Sequence, residues 1–341
     1  GVAVGEVEPS DERPLARNTS NRFDAGRNFC NKLWNAVRFA LSNLETVVED
    51  GDPEEVSLVD RWIISRLHRT THLVEDALGE YHFNQYAESM YDLVWRDFCD
   101  WYLEAIKPTV RSSRGQQQRL HAVLDSILRM LHPACPFVTE TLWPHLHRVE
   151  GLRGLDGETG VPGLSLPTAA RCGISAWPDI DCSTHDAAAE TEFARVQALV
   201  AAIRNLRGER KVKPKRRITL HAPAPIRTLV ASAGGVVETL AGLQAVVDLE
   251  TAPEGSIPLP FEGGQILLSN LLDAVDVEGE RGRLRKVIEA KRKQVAGFTG
   301  KLGNAGYVNK AKPEMVAETR RMLEVAEADL AAAEAGLTAL E

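Results

Sequence analysis

Apolar residues recur at intervals of three and four along most of the first 146 positions, the spacing of helices with one buried face. Phe29, Leu33, Ala36, Ala40 and Leu44 predict a first helix over roughly 23–48. A second is expected over 53–79, opened by Pro53, which a first helical turn tolerates, with Glu54 and Glu55 at the positive end of the helix dipole. Phe83, Ala87, Met90, Val94, Phe98, Trp101 and Ala105 predict a third over 83–106, stopped by Pro108. Leu120, Leu124, Ile127, Leu128 and Leu131 mark a fourth that ends before Pro133, and a shorter fifth covers 137–146. Long amphipathic helices with short connections make an antiparallel bundle over 21–149. Residues 1–20 lack periodicity and read as a linker or frayed start.

The pattern changes at 150–185, where Gly and Pro cluster in a long irregular connector. A helix resumes near Asp186 and runs to about Glu209. Short β-like runs at 217–220, 246–249 and 264–268 then suggest a small α/β subdomain over 186–275. Over 276–341, Val316, Thr319, Leu323, Ala326, Leu330, Ala333, Leu337 and Leu340 alternate three and four, a heptad seam. Leu284, Ile288, Val295, Phe298 and Leu302 keep similar spacing upstream, with Lys291 at the missing position. A Gly-rich stretch, 300–312, separates the two runs and Pro313 opens the second, so this segment reads as an antiparallel coiled-coil hairpin. The fold class expected is mainly α: a helix bundle, a small α/β subdomain and a C-terminal coiled-coil arm.

At 341 residues, with 44% hydrophobic and 26% charged, the chain suits two or three soluble domains. No membrane span and no secretory signal are visible, and the absence of an initial Met fits a fragment or a processed chain. Five cysteines without a C-x-x-C pair suggest neither a disulfide framework nor a zinc site, and point to the reducing cytoplasm. Cys30, Cys99 and Cys135 read as small core residues. His132, His145 and His147 lie close together but beside prolines, and read as bundle-end residues rather than metal ligands. No phosphate-cradling loop, nucleophile elbow or H-E-x-x-H pattern occurs, so no catalytic residue, metal or cofactor is assigned to the chain.

The net charge of −8 hides two basic runs. Residues 204–217 hold eight Lys and Arg against Glu209 alone, including Arg204, Arg207, Arg210, Lys211 and Lys213. Residues 281–312 hold ten against Glu289, including Arg285, Lys291, Arg292, Lys293, Lys301, Lys310 and Lys312. Local positive charge on an acidic protein suits a polyanion bound at chosen places; the plainer alternative is a solvated helix face. On the first helix, Asn28, Asn31, Asn35, Arg38 and Ser42 form a polar stripe opposite the apolar one, adjoined by Lys32 and Phe39. Amides offer donors and acceptors to base edges, and Arg or an exposed ring can stack on unpaired bases. The alternative here is that Phe39 and Trp34 are core residues flanking an ordinary polar face. Within the hairpin, Asn304, Tyr307 and Arg320 join the candidates, Tyr307 either stacking on a base or pinning the turn.

These residues also carry a family resemblance. Residues 28–44, NFCNKLWNAVRFALSNL, resemble the helix that opens the anticodon-binding domain of valyl-tRNA synthetases. HPACPFVTETLW at 132–143 is similar to a segment shared by the valyl, isoleucyl and leucyl enzymes. DRWIISRL at 60–67, WRDFCDWYLEAIKP at 95–108 and VAAIRNLRGERKVKP at 200–214 extend the match. KLGNAGYVNKAKPEMVAETRR at 301–321 resembles the turn of the C-terminal arm found in the valyl enzymes, with Tyr307 where the family usually has Phe. The connector at 150–185 shows little resemblance. The resemblance implies a cytoplasmic class I valine–tRNA ligase whose bundle binds the anticodon stem-loop and whose arm packs on the outer corner of valine tRNA. ATP- and Mg-dependent valine activation and editing belong in that family to upstream domains, whose HIGH-like and KMSKS-like signatures this chain lacks. It is therefore expected to be monomeric, to bind tRNA and to be inactive alone. The alternatives are a helical scaffold with a protein-binding coiled coil, or a stand-alone tRNA-binding paralogue.

Overall fold

In the computed structural model the described residues are 21–49, 56–152, 159–271, 274–304, 306–307 and 313–338. The linker expected at 1–20 lies outside them. The chain falls into two compact units, Gly1–Arg204 with Pro223–Val246, and Asn205–Ala222 with Val247–Glu341.

The first unit is built on the expected bundle. Helix α1 spans Asn21–Leu44, and Leu33, Val37, Ala40 and Leu44 on it are at most 1% exposed. It stops four residues before the predicted end because the Gln117 side chain caps it. Gln117 donates through Nε2 to the carbonyls of Asn43 (3.0 Å) and Thr46 (2.9 Å) and accepts from the Val48 amide (2.9 Å). These bonds satisfy backbone groups that a longer helix would have paired internally. Helix α2 spans Leu58–Gly79, not 53–79. Pro53–Glu55 lie outside the described residues, and the N-cap is Ser57, whose Oγ accepts from the Asp60 amide at 3.2 Å. Ser57→Ala should cost about 1 kcal/mol in urea unfolding; an unchanged midpoint would show that the cap contributes nothing.

The third predicted helix is continuous but changes winding: α3 (Phe83–Tyr91), a π-helical segment (Asp92–Tyr102), then α4 (Leu103–Ile106). Met90, Val94, Phe98, Tyr102 and Ile106 are all at most 1% exposed, a strict four-residue repeat. In a 3.6-residue helix such a repeat drifts about 40° per step off the core face. The wider π turn absorbs the drift. Three residues of the predicted stripe lie off the buried face: Phe83 is 60% exposed, Ala87 is exposed and Trp101 is half-buried. Helix α5 (Arg114–Leu131) is the central helix, buried at every position from Gln116 to Leu131 but Gln118, and α6 (Pro136–Leu146) packs on it. Of the three cysteines expected in the core, Cys99 is buried while Cys30 and Cys135 are half-buried.

The connector is keyed to the bundle. Strands β1 (Leu164–Ser165) and β2 (Asp179–Ile180) pair antiparallel. Arg129 donates to the carbonyls of Pro167 and Ala176 (both 2.8 Å), and Trp143 Nε1 to that of Ala169 (3.1 Å). Helix α7 (Ala187–Glu209) begins against α2, where Phe193, fully buried, stacks on Trp62 with centroids 4.2 Å apart. Helices α8 (Ala224–Ser232) and α9 (Val236–Ala241) belong to the same unit and were not expected from the sequence.

In the second unit, β6 (Gly264–Ser269) pairs antiparallel with β3 (Ile218–Ala222) on one side and β5 (Ile257–Phe261) on the other. Within this unit the strand order is therefore β3-β6-β5, and a further strand, β4, spans Leu243–Asp248. The β5–β6 turn places Glu262 (φ 48°) and Gly263 (φ 74°) in left-handed conformations, as a tight two-residue hairpin requires. Helices α10 (Ala274–Gly303) and α11 (Pro313–Thr338) pack together as the predicted antiparallel hairpin. Ile288, Val316, Thr319 and Ala326 are buried on its seam, and Leu284, Lys291, Val295, Phe298, Leu302, Leu323, Leu330 and Leu337 half-buried. Leu340 and the side chain of Ala333 lie outside the description.

Candidate nucleic-acid interface

The polar stripe of α1 is real. Asn28, Asn31, Asn35, Arg38 and Ser42 are all exposed, opposite the buried face. The two aromatic residues beside it separate. Trp34 is 42% exposed, so it is no core residue. Phe39 is half-buried, with Lys107 Nζ 5.3 Å from its ring centroid. Lys32 is engaged within the bundle. Its ammonium lies 3.7 Å from the centre of the Trp95 ring and 2.5 Å from Asp100 Oδ1, and Trp95 stacks in turn on Tyr91 (5.4 Å). The face left open is Asn28, Asn31, Trp34, Asn35 and Arg38. Trp34, which the polar pattern alone does not single out, lies three residues after Asn31 and four before Arg38 on the same stripe.

The basic run after α7 is divided in its roles. Arg204 donates through Nε to the Leu240 carbonyl (2.8 Å) and lies 6.0 Å from the Trp101 ring, both within the first unit. Arg207 closes the loop after α7, donating through Nη2 to the carbonyls of Lys213 (3.2 Å), Pro214 (3.4 Å) and Arg216 (3.0 Å). Burial, then the neighbouring Arg217, lowers its pKa. Lys211 takes the left-handed turn conformation (φ 52°) that ends the helix. Arg210, Lys211 and Lys213 present exposed side chains, and Lys213 has a further partner of its own.

In the hairpin, charge mostly zips the two helices together. Lys291 meets Asp329 at 2.6 Å, Arg292 meets Glu334 at 2.7 Å, and Lys293 pairs along its own helix with Glu289 at 3.0 Å. Arg285 is exposed and is not free either. Lys301 and Arg320 are exposed with no ion pair among the described residues, and so are Lys286 and Arg321, two cations beyond the expected set. Asn304 holds the turn: its Oδ1 accepts from Gly306 N (2.9 Å) and its carbonyl from Tyr307 N (3.0 Å). Tyr307 pins the turn to α11, its hydroxyl 2.8 Å from Thr319 Oγ1. Lys310 and Lys312 lie outside the described residues.

No ligand set of three His, Cys, Asp or Glu side chains stands assembled among the described residues, and no described helix is long and apolar enough to cross a membrane. What the surfaces offer is amides, an indole and cations on rigid helices.

Residues 60–222 match the family described as the anticodon-binding domain of tRNA ligase, which makes the bundle a domain of that class. Helix α1 precedes the matched span. Residues 276–341, the hairpin, match the family described as the valyl tRNA synthetase tRNA binding arm. The valine–tRNA ligases of Rhodopirellula baltica, Thermotoga maritima and Dechloromonas aromatica are each 34% identical to the chain, over 93%, 94% and 88% of its length. The chain belongs to the valyl-tRNA synthetase family. It spans about a third of the length of these relatives, at 31%, 35% and 32%.

Proposed function

We propose that this chain is the tRNA-binding C-terminal part of a valine–tRNA ligase, serving aminoacylation in protein synthesis. The bundle over 21–149 takes the anticodon stem-loop, the α/β part over 186–275 contributes Arg210, Lys211 and Lys213 to the RNA backbone, and the arm over 276–341 packs on the outer corner of valine tRNA. ATP- and magnesium-dependent activation of valine, and editing, belong on this reading to parts of the ligase other than these residues. The setting is the cytoplasm and the chain acts as a monomer.

The observation that carries the reading is the open face of α1. Five polar or stacking side chains project from a helix whose other side is locked in the core, so the face is rigid before RNA arrives. Preorganised donors and a ring lose little entropy on binding unstacked bases.

Trp34→Ala tests it. Binding of valine tRNA should weaken by about 1–3 kcal/mol, as loss of one base-stacking ring does. The melting temperature should hold, because the ring is outside the core. Phe39→Ala, which removes a half-buried ring beneath Lys107, should lower the melting temperature instead. Unchanged tRNA affinity in Trp34→Ala would remove the anticodon-face reading. A protein-binding scaffold is the second reading, favoured by Met315 (55% exposed), Met322 (46%) and Val325 (55%) on the outside of α11.

A further inference from the structure

One cluster of side chains lies outside everything the tRNA-binding reading uses. Helix α2 carries His68 and His72 four residues apart and so on one face. Their Nε2 atoms are 3.2 Å apart, with ring planes at 71°. His185, in the segment leading into α7, brings its ring to 5.5 Å from that of His68. All three belong to the first unit.

The surroundings set the protonation of these rings. His72 Nδ1 lies 3.2 Å from Glu75 Oε2. With that carboxylate accepting, the hydrogen of the neutral ring sits on Nδ1 and Nε2 keeps its lone pair, the carboxylate–histidine arrangement that orients imidazoles toward metals. His68 is half-buried. Its Nδ1 is buried with no hydrogen-bond partner. Neutral imidazole is the ligating form.

Two imidazole nitrogens bound to one tetrahedral zinc ion, each at about 2.0–2.1 Å, stand roughly 3.3 Å apart. The 3.2 Å between His68 and His72 is that bite. We propose that His68 and His72 form a chelating site for a borderline divalent transition-metal ion such as Zn²⁺, completed by His185 and water. His185 is exposed and joins by turning its ring, since no three such groups stand as a ligand set already. For His68 to bind through Nε2, its ring hydrogen sits on Nδ1. The bound ion ties α2 to the segment that enters α7. Imidazole ligands favour zinc, copper and nickel over magnesium, which prefers oxygen.

The test is calorimetric titration of the whole chain with ZnCl₂, with melting curves in zinc, magnesium and EDTA. One zinc ion per chain should bind and raise the melting temperature, magnesium should not, and EDTA should reverse the shift. His72→Gln, at an exposed position, should keep the fold and abolish both signals. Glu75→Gln should weaken zinc about tenfold, the usual effect of losing the carboxylate behind a ligating histidine. His185→Asn should weaken it too; unchanged affinity there would overturn the three-histidine form. No zinc binding by the natural chain, or equal binding by His72→Gln, would overturn the site itself.

Discussion

Arg129→Ala should destabilise the bundle by about 3–5 kcal/mol, the usual cost of removing one partner from a buried ion pair. Arg129 and Asp125 sit one turn apart on α5, 2.6 Å from each other, with side-chain exposures of 1% and 0%. Burial lowers the Arg129 pKa to about 10, which still leaves the guanidinium charged at neutral pH. Without it, the Asp125 carboxylate stays buried beside His147, whose Nε2 is 3.3 Å away, and has lost its guanidinium partner. The connector also loses two donors, because Arg129 alone among the described residues reaches both Pro167 and Ala176. Urea unfolding should therefore shift sharply, and limited proteolysis should cut within 159–180 before the bundle. Arg129→Met combined with Asp125→Leu should recover much of the loss, since it removes both charges together. A single variant with an unchanged midpoint would mean that the pair is not what holds the connector.

Arg129 also shows where the sequence stops being legible. The bundle could be read because its apolar residues recur at helical spacing and each helix buries one face. The hairpin could be read because two seams face each other across a Gly-rich turn. The π segment was hidden: Met90 to Ile106 fit a helical stripe, and only burial shows the four-residue repeat. Strand β5 was hidden because Pro258 and Pro260 argue against a strand. It lies at the sheet edge, where a missing amide hydrogen costs no ladder bond. The α1 face was legible as a polar stripe, but not the division between Trp34, which projects outward, and Lys32, which is spent on Trp95 and Asp100. A run of cations does not say which of them are neutralised from within. Arg207 and Lys291 look alike in sequence, yet one closes a loop and the other pairs across a hairpin.

That distinction decides how the arm should respond to salt. Lys291 and Arg292 are committed to Asp329 and Glu334, so their reversal to Glu would set like charges across the hairpin and weaken the helix pair as much as any RNA contact. Exposed pairs of this kind contribute only about 0–1 kcal/mol each, and the buried seam keeps the hairpin formed when one is lost. The cations open to a polyanion are Lys286, Lys301, Arg320 and Arg321, exposed, off the seam and without ion pairs among the described residues. Each phosphate contact adds about 0.7–0.9 to the slope of log affinity against log salt. Replacing all four with Gln should therefore flatten the slope by about 3 if every one meets a phosphate. Because phosphates carry no sequence information, valine tRNA and an unrelated tRNA should lose affinity alike. Trp34→Ala, in contrast, should penalise valine tRNA more. The measurement is tRNA affinity across a salt series for the natural chain, the four-Gln variant and Lys291→Gln/Arg292→Gln. Equal slopes for the natural chain and the four-Gln variant would show that the arm does not grip tRNA through these cations. The exposed Met315, Met322 and Val325 would then make α11 a surface for another protein. A slope that falls only in the Lys291/Arg292 variant would show that the salt bridges open on binding and release their cations to the RNA.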